Sequence, residues 1–554
     1  MRSGGRILVD QLRIHGVDTI FCVPGESYLP ALDALGDARD AIRLVVCRQE
    51  GGATNMAEAY GKLTGRPGVS FVTRGPGATN ASIGVHTAFQ DSTPLLLLVG
   101  QVDRGALGRE AFQEVDFVAM FAPLAKHAEQ VMDPARIPEI VSRAFHIACA
   151  DRPGPVVLSF PEDVLAEEAQ CDDAAAYRVV QPNPGPQELD ALREALEGAE
   201  RPLMLVGGGG WTPSASEDIL AFAEASTLPT ACAFRWQDCF DNRSPLYAGD
   251  VGIAVNPKLA KRVRDADVLL VVGPRLGEST TSGYTLVDIP RPRQRLVHVH
   301  PDPEELGRVY QADLPINSGL AQFAAAARAL PPVDGSRWAG WAEQARADYL
   351  AHLQHKPLPG DLDLGDVMAY LRERLPSDAI LTNGAGNFSV WAHRFYQFSQ
   401  YRTQLGPTSG AMGYGVPAAV AAKVVHPDRI VVCFTGDGDF LMTGQELATA
   451  LREQAAPVFL VINNGMYGTI RAHQEREFPG RPYGTDLVNP DFAAYAGAFG
   501  AHGEVVSRTE EFADAFERAL ESGLPAILEL RIHPEAVSPR ATLTEIREAA
   551  RSSA

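Results

Sequence analysis

The sequence predicts an α/β protein made of three doubly wound parallel-sheet domains. Continuous apolar runs of four or five residues recur along the whole chain. Such runs, without polar alternation, are what strands buried on both faces look like. Amphipathic stretches at 50–64, 136–149 and 445–454 supply the helices that cover the sheet faces. Two breaks in composition then divide the chain. Residues 166–186 are acidic and alanine-rich, then proline-rich, and read as a linker. Residues 331–361 carry proline, glycine and two tryptophans, and read as a partly helical connector. The expected domains are therefore 1–165, 187–330 and 362–554, each of ordinary size.

The expected strands follow in order. The first domain has 69–73, 95–99 and 156–160, the second 203–206, 268–272 and 296–299, and the third 430–434 and 458–462. The first and third domains share a theme of strand, glycine turn and helix, which hints at an old duplication. With 45% hydrophobic and 21% charged residues in 554, the chain can bury enough apolar surface to fold. Apolar stretches such as 94–99 are far short of a membrane span. Asp10 and Arg13 interrupt the one apolar run near the N-terminus, so no signal peptide is expected. A net charge of -20 argues against nucleic acid as a partner. Seven cysteines without a CxxC pair make a disulfide framework or zinc site improbable and point to the cytoplasm.

The sharpest motifs lie in the third domain. Gly436-Asp437-Gly438 follows one strand and Asn463-Asn464 follows the next. Successive parallel strands end side by side, so Asp437 and Asn464 can converge at the carboxyl edge, where open α/β sheets bind ligands. Two hard oxygen ligands suit a magnesium ion that also takes phosphate oxygens. Glycines there let backbone N–H groups approach a diphosphate. In the first domain, Glu50 opens a helix after Arg48-Gln49, and Arg74-Gly75-Pro76-Gly77 makes a tight turn into another helix. Alone, each reads as ordinary turn and helix-start chemistry.

Taken together, in this order and over nearly the whole chain, these motifs resemble the thiamine-diphosphate-dependent family of acetolactate synthases, pyruvate oxidases, benzoylformate decarboxylases and oxalyl-CoA decarboxylases. Ala111-Phe112-Gln113-Glu114 and Gly410-Ala411-Met412-Gly413-Tyr414-Gly415 are most similar to the acetolactate synthase large subunit. The resemblance implies pyrimidine-binding, central and diphosphate-binding domains. It implies that Asp437, Asn464 and the backbone oxygen of Met466 hold magnesium. Glu50 would bond N1′ of the aminopyrimidine, the carbonyl of Gly410 would accept from the 4′-amino group, and Met412 would wedge the cofactor into a bent form. Pro76, Asn80, Gly386, Asn387, Gly436, Gly438, Asp439, Tyr467, Gly468 and Thr469 complete the implied cofactor contacts. Gln113, Glu26 and His86 join Glu50 as candidate catalytic residues. The chemistry implied is ylid formation assisted by a positioned glutamate, then attack on a carbonyl with the thiazolium as electron sink. Homodimers or homotetramers are implied, because in the family the two ends of the cofactor are held by different chains.

Departures from the synthase pattern bear on the substrate, expected to be a 2-oxo acid or aldehyde. Ser279 stands where the synthase has a carboxylate-binding arginine, and His473 where it has a tryptophan. Arg471 is a candidate replacement cation, and Glu26 adds negative charge to a loop that is usually neutral. In the central domain, Gly207-Gly208-Gly209-Gly210 and Arg275 suit a nucleotide, yet His298 and His300 occupy the place of the acidic pair of flavin-binding relatives. FAD, ADP and no nucleotide are all compatible with this domain. A 2-hydroxyacyl-CoA or oxalyl-CoA lyase, and a non-catalytic nucleotide-binding relative, are the alternative functions.

Overall fold

The computed structural model describes residues 1–553. It contains three six-stranded parallel sheets, as the sequence leads one to expect. Met1–Val180, with Val420–Val425 and Ala448–Glu453, makes one compact unit, and the remaining residues make a second.

In the first unit the strands lie in the spatial order Arg43–Val46, Thr19–Cys22, Gly68–Val72, Leu95–Gln101, Pro155–Pro161 and His127–Gln130. Numbered along the chain, that order is 2-1-3-4-6-5. Leu95 to Val99 are all fully buried, which explains why the strand reads as a run rather than an alternation. After Ala169 no helix or strand forms until Pro186. This linker is not loose at its centre, because the Tyr177 ring stacks 5.1 Å from that of Phe145.

The second unit holds two sheets. Its central sheet runs Tyr247–Asp250, Thr230–Cys232, Pro202–Val206, Val268–Val272, Arg295–His300, Leu314–Asn317, or 3-2-1-4-5-6, the order of dinucleotide-binding folds. Its other sheet runs Gln404–Leu405, Ile380–Asn383, Val431–Gly436, Val458–Asn463, Ala526–Arg531, His502–Val506. Along the chain this is again 2-1-3-4-6-5, the order of the first sheet.

Residues 331–361 behave differently from a connector. They form the helix Ala339–His352 and belong to the core of the central sheet. Trp338 is buried and donates to the Thr227 carbonyl at 2.9 Å, and Trp341 donates to that of Pro202 at 2.9 Å. The tryptophans that mark the segment in the sequence are therefore anchors.

The tetraglycine is used partly for packing. A Cβ on Gly208 would lie 2.3 Å from the Gly273 oxygen, and one on Gly273 would lie 2.3 Å from the Gly207 oxygen. Two neighbouring strand ends thus meet backbone to backbone. His298 is buried, and its Nε2 lies 3.1 Å from the Pro274 carbonyl.

Within the second unit the two sheets are stitched together beside the candidate site. Asp238 accepts from the amides of Thr403 and Gln404 at 3.0 and 3.2 Å. Arg235 donates to the carbonyls of Pro407 and, at 3.2 Å, Gly384. Among the described residues no helix is long and apolar enough to cross a membrane, and no disulfide joins the cysteines.

Candidate active site

The first unit brings Glu50 and Asn80 together. Gln49 caps the helix Glu50–Thr64 by accepting from Gly52, which sets Glu50 on its first turn. Asn80, on the helix Pro76–Asp91, donates to Glu50 Oε2 at 2.9 Å. Oε1 faces the turn, since a Cβ on Gly77 would lie 3.3 Å from it. Gly75 has φ +57° and backs onto Gln113, whose Cβ would be 2.7 Å from a side chain there. Pro76, Gly77, Gln113, Asn80 and Glu50 thus surround one turn. His86 is six residues beyond Asn80 on the same helix, roughly 9 Å along it and turned by about 120°. Helix geometry separates it from the Glu50–Asn80 pair.

Glu26 is not a loose charge. It opens a short 3₁₀ turn, and its carboxylate lies 3.5 Å from the Arg74 guanidinium, which also pairs with Glu162 at 3.0 Å. Arg74 also donates to the Phe112 carbonyl at 3.3 Å and so braces the loop that carries Gln113.

The second unit contains a cavity of about 410 Å³. It is lined by every residue of that unit assigned to the cofactor from the sequence: Gly386, Asn387, Gly410, Met412, Gly436, Asp437, Gly438, Asp439, Asn464, Met466, Tyr467, Gly468 and Thr469. Asp437 leaves the strand Val431–Gly436 and is 3% exposed. Its Oδ2 accepts from Gly465 N at 2.9 Å and Asn489 Nδ2 at 2.8 Å. Burial pushes this carboxyl above the usual carboxylate range, with the hydrogen bonds from Asn489, Gly438 and Gly465 opposing. Among the described residues no Lys, Arg or His forms an ion pair with it. Asn464 Oδ1 turns back to accept from Met466 N at 3.2 Å. A buried carboxylate without a cation, beside an amide oxygen and a loop carbonyl, is a donor set that fits a magnesium ion.

The rest of the wall is held by side chain to backbone bonds. Asn387 N donates to Thr469 Oγ1 at 2.8 Å. Tyr467 lies flat enough on Gly438 that a Cβ there would be 2.5 Å from its ring. Asp439 has a different part from the one expected. Its two oxygens accept from Gly413 N at 2.8 Å, Ala385 N at 3.2 Å and Thr435 Oγ1 at 2.7 Å. Those bonds commit it to clasping the loops around the cavity. Burial pushes its carboxyl up to about 6, while these donors hold it lower than burial alone would. Thr443 bonds the Gly413 carbonyl at 2.8 Å, so the loop bearing Met412 is pinned on both sides of one residue.

Of the residues that depart from the synthase pattern, Ser279 lines the cavity. Arg471 and His473 do not. Arg471 is bound to Asp486 at 2.7 Å and Thr485 at 3.0 Å, and exposed His473 faces Arg476. Arg471 is therefore not a substitute cation in the wall. Phe234, Arg235, Asp250, Ile253 and His393 line the cavity without having been expected. The one signal for them was a lone arginine inside the apolar run 231–236.

Comparison with known proteins agrees with this geometry. Residues 2–120 match the N-terminal TPP binding domain of thiamine pyrophosphate enzymes, 189–327 the central domain, and 384–530 the C-terminal TPP binding domain. The acetolactate synthase large subunit of Parasynechococcus marenigrum (strain WH8102) is 35% identical over 547 residues, covering 96% of this chain and 87% of that protein. The acetolactate synthase isozyme 2 large subunit of Escherichia coli (strain K12) is 31% identical, over 96% of this chain and 95% of its own length. The probable acetolactate synthase large subunit of Methanocaldococcus jannaschii is 31% identical, over 97% and 93%. With likeness of this extent on both units, the chain belongs to the thiamine pyrophosphate enzyme family and is similar, within it, to acetolactate synthase large subunits.

Proposed function

We propose that this enzyme uses thiamine diphosphate and magnesium to decarboxylate a 2-oxo acid and, preferentially, to transfer the remaining fragment to an acceptor without a carboxylate. The carrying observation is the single cavity on which Asp437, Asn464, Met466, Gly410 and Met412 meet, with Ser279 in the same wall. Thiamine diphosphate, when bound, supplies a thiazolium that acts as an electron sink. Asp437, Asn464 and the Met466 carbonyl hold the metal. The Gly436–Gly438 turn binds the diphosphate. Glu50 exchanges a proton at Oε1, while its Oε2 is kept oriented by Asn80. The reading includes a homodimer or homotetramer in the cytoplasm, in which the Glu50-bearing unit of one chain completes the site of its partner. It assigns no nucleotide to the central sheet, since Gly207, Gly208 and Gly273 are consumed by mutual packing.

The preference for an uncharged acceptor rests on charge. A second 2-oxo acid would bring a carboxylate to a wall where Ser279 is neutral and the one arginine, Arg235, already gives its terminal nitrogens to the Pro407 and Gly384 carbonyls. Leaving that carboxylate unpaired in a partly dry cleft costs several kcal/mol. At about 1.4 kcal/mol per decade, this suppresses self-condensation by orders of magnitude. Incubation with pyruvate, magnesium and thiamine diphosphate should release carbon dioxide with 2-acetolactate as a minor product, and added aldehydes should be captured. Efficient acetolactate synthesis would overturn the acceptor assignment. Failure to turn over any 2-oxo acid would overturn the reaction class.

A further inference from the structure

Asp250 ends the strand Tyr247–Asp250 of the central sheet, far in sequence from the cofactor motifs, yet it lines the same cavity as Asp437 and Met412. Its surroundings are fixed by a chain of hydrogen bonds whose direction follows from one backbone group. The amide of Gln237 can only donate, and it donates to Gln404 Oε1 at 2.7 Å. The other end of that side chain, Gln404 Nε2, must then be the donor to Gln237 Oε1 at 2.9 Å. Gln237 Nε2 is left to donate, to the His393 carbonyl at 2.6 Å and to Asp250 Oδ1 at 3.2 Å. His393 Nδ1 lies 3.1 Å from the accepting Gln237 Oε1 and 3.4 Å from the donating Gln404 Nε2, and the shorter contact assigns it the ring proton. Its Nε2 is a bare lone pair with no partner.

The consequence is a wall rich in acceptors, whose one guanidinium is turned onto backbone carbonyls. Burial pushes the His393 imidazole down to about 3, so it stays neutral. Arg235 spends its terminal nitrogens on the carbonyls of Pro407 and Gly384. Asp250 takes its one side-chain hydrogen bond, among the described residues, at Oδ1. Its Oδ2 is not among the polar atoms sealed from solvent, and of the two spaces that Asp250 lines, only the cofactor cavity, at about 410 Å³ against about 20 Å³ beside Tyr349 and His352, has room for a substrate.

Resting on the reaction proposed above, we propose that Asp250 is a specificity residue: held by Gln237, it offers Oδ2 to a hydroxyl of an uncharged, hydroxylated aldehyde acceptor. A hydroxyl is the group that suits this position in either state of the acid. Burial raises the Asp250 carboxyl to about 7, against the opposing charge of Arg540. A hydroxyl donates to the carboxylate and accepts from the protonated acid, whereas a carboxylate substrate is repelled by the first.

The test uses the full chain with magnesium, thiamine diphosphate and pyruvate, and compares glycolaldehyde with propanal, which differ only by hydroxyl against methyl. Wild type should favour glycolaldehyde by about 10- to 100-fold in acceptor kcat/KM, the worth of one well-placed hydrogen bond to a charged group. Asp250→Ala, shown to be folded by circular dichroism, should bring the two within about 3-fold, and Asp250→Asn should fall between. In parallel, saturation-transfer NMR should detect glycerol on wild type and not on Asp250→Ala. Equal use of propanal by wild type, or an undiminished preference in folded Asp250→Ala, would overturn the proposal. If no 2-oxo acid is turned over, the reaction assignment alone fails. Asp250-dependent glycerol contact then still supports the subsite, and its absence refutes it.

Discussion

Asp437 and Glu50 carry different parts of the same chemistry and should fail differently. Asp437→Ala removes the anionic metal ligand and leaves Asn489 and Gly465 with Asn463 Oδ1 as their remaining acceptor. Losing a charged contact worth about 3 kcal/mol should weaken magnesium-dependent cofactor binding by about 100-fold, read by calorimetry. Unchanged affinity would remove Asp437 from the metal site. Glu50→Gln is nearly isosteric and can still bond Asn80, so the cofactor should bind. Turnover should fall by about 10²- to 10⁴-fold, the range of a positioned acid–base group. Wild-type rates in that variant would reduce Glu50 to a helix-start residue. Both residues were legible because each follows a strand at a glycine-marked turn, a pattern that survives in one dimension. Asp250, His393 and Arg235 were not. They reach the cavity from ordinary strand ends, helices and loops, and Arg235 does so at φ +62°, a strained backbone that a sequence does not display.

At the scale of elements, the cavity is shaped by loops that one side chain holds together. Asp439→Ala would orphan the Thr435 hydroxyl and the Gly413 and Ala385 amides. At about 1–3 kcal/mol per buried unsatisfied group, a loss of roughly 3 kcal/mol or more is expected in urea unfolding. Asp439→Asn should lose less. The same residue gives a pH signature. Its folded carboxyl titrates near 6, above its ordinary 3.8, so its stabilising contribution is complete below about 4 and is lost as pH rises through 6. Asp250, near 7, acts in the same direction. Melting of the cofactor-free chain should therefore show a component that falls between about pH 4 and 7, and its part below about pH 6 should be flattened in Asp439→Asn. An identical slope in the variant would contradict this. Element bounds were read best where end signals are chemical. The helix Glu50–Thr64 has the bounds expected of it because Gln49 caps one end and Gly65, at φ +73°, closes the other. In the segment 331–361 the partly helical character was legible, while its docking on the central sheet was not, because that depends on partners more than a hundred residues away.

For the molecule as a whole, apolar side chains stand exposed around each candidate site. Ile83, one turn from Asn80, and Phe112, next to Gln113, do so on the first unit. Leu441, Met442 and Ile470 do so on the second. Exposed groups of this kind are typically covered in an assembly. The active species should be at least a dimer by light scattering at assay concentration, and specific activity should fall on dilution below its dissociation constant. A fully active monomer would contradict this. The three-sheet architecture was legible throughout, since strands buried on both faces announce themselves as apolar runs, but the order of strands within each sheet was not, because it is set by which way each connection crosses. That order decides where binding is permitted. In 2-1-3-4-6-5 the connections leaving strands one and three depart to opposite sides, so a crevice opens between them before any side chain is chosen. In the first sheet it falls between the loops at 23–28 and 73–77, and in the last between those at 384–388 and 436–439. These four short loops carry Glu26, Arg74, Pro76, Gly386, Asn387, Asp437 and Asp439, on scaffolds that need not change to accommodate them. The residues assigned to the acceptor, Ser279 and Asp250, come instead from the central sheet, so substrate choice can be edited there while the crevice for the cofactor is left as the topology made it.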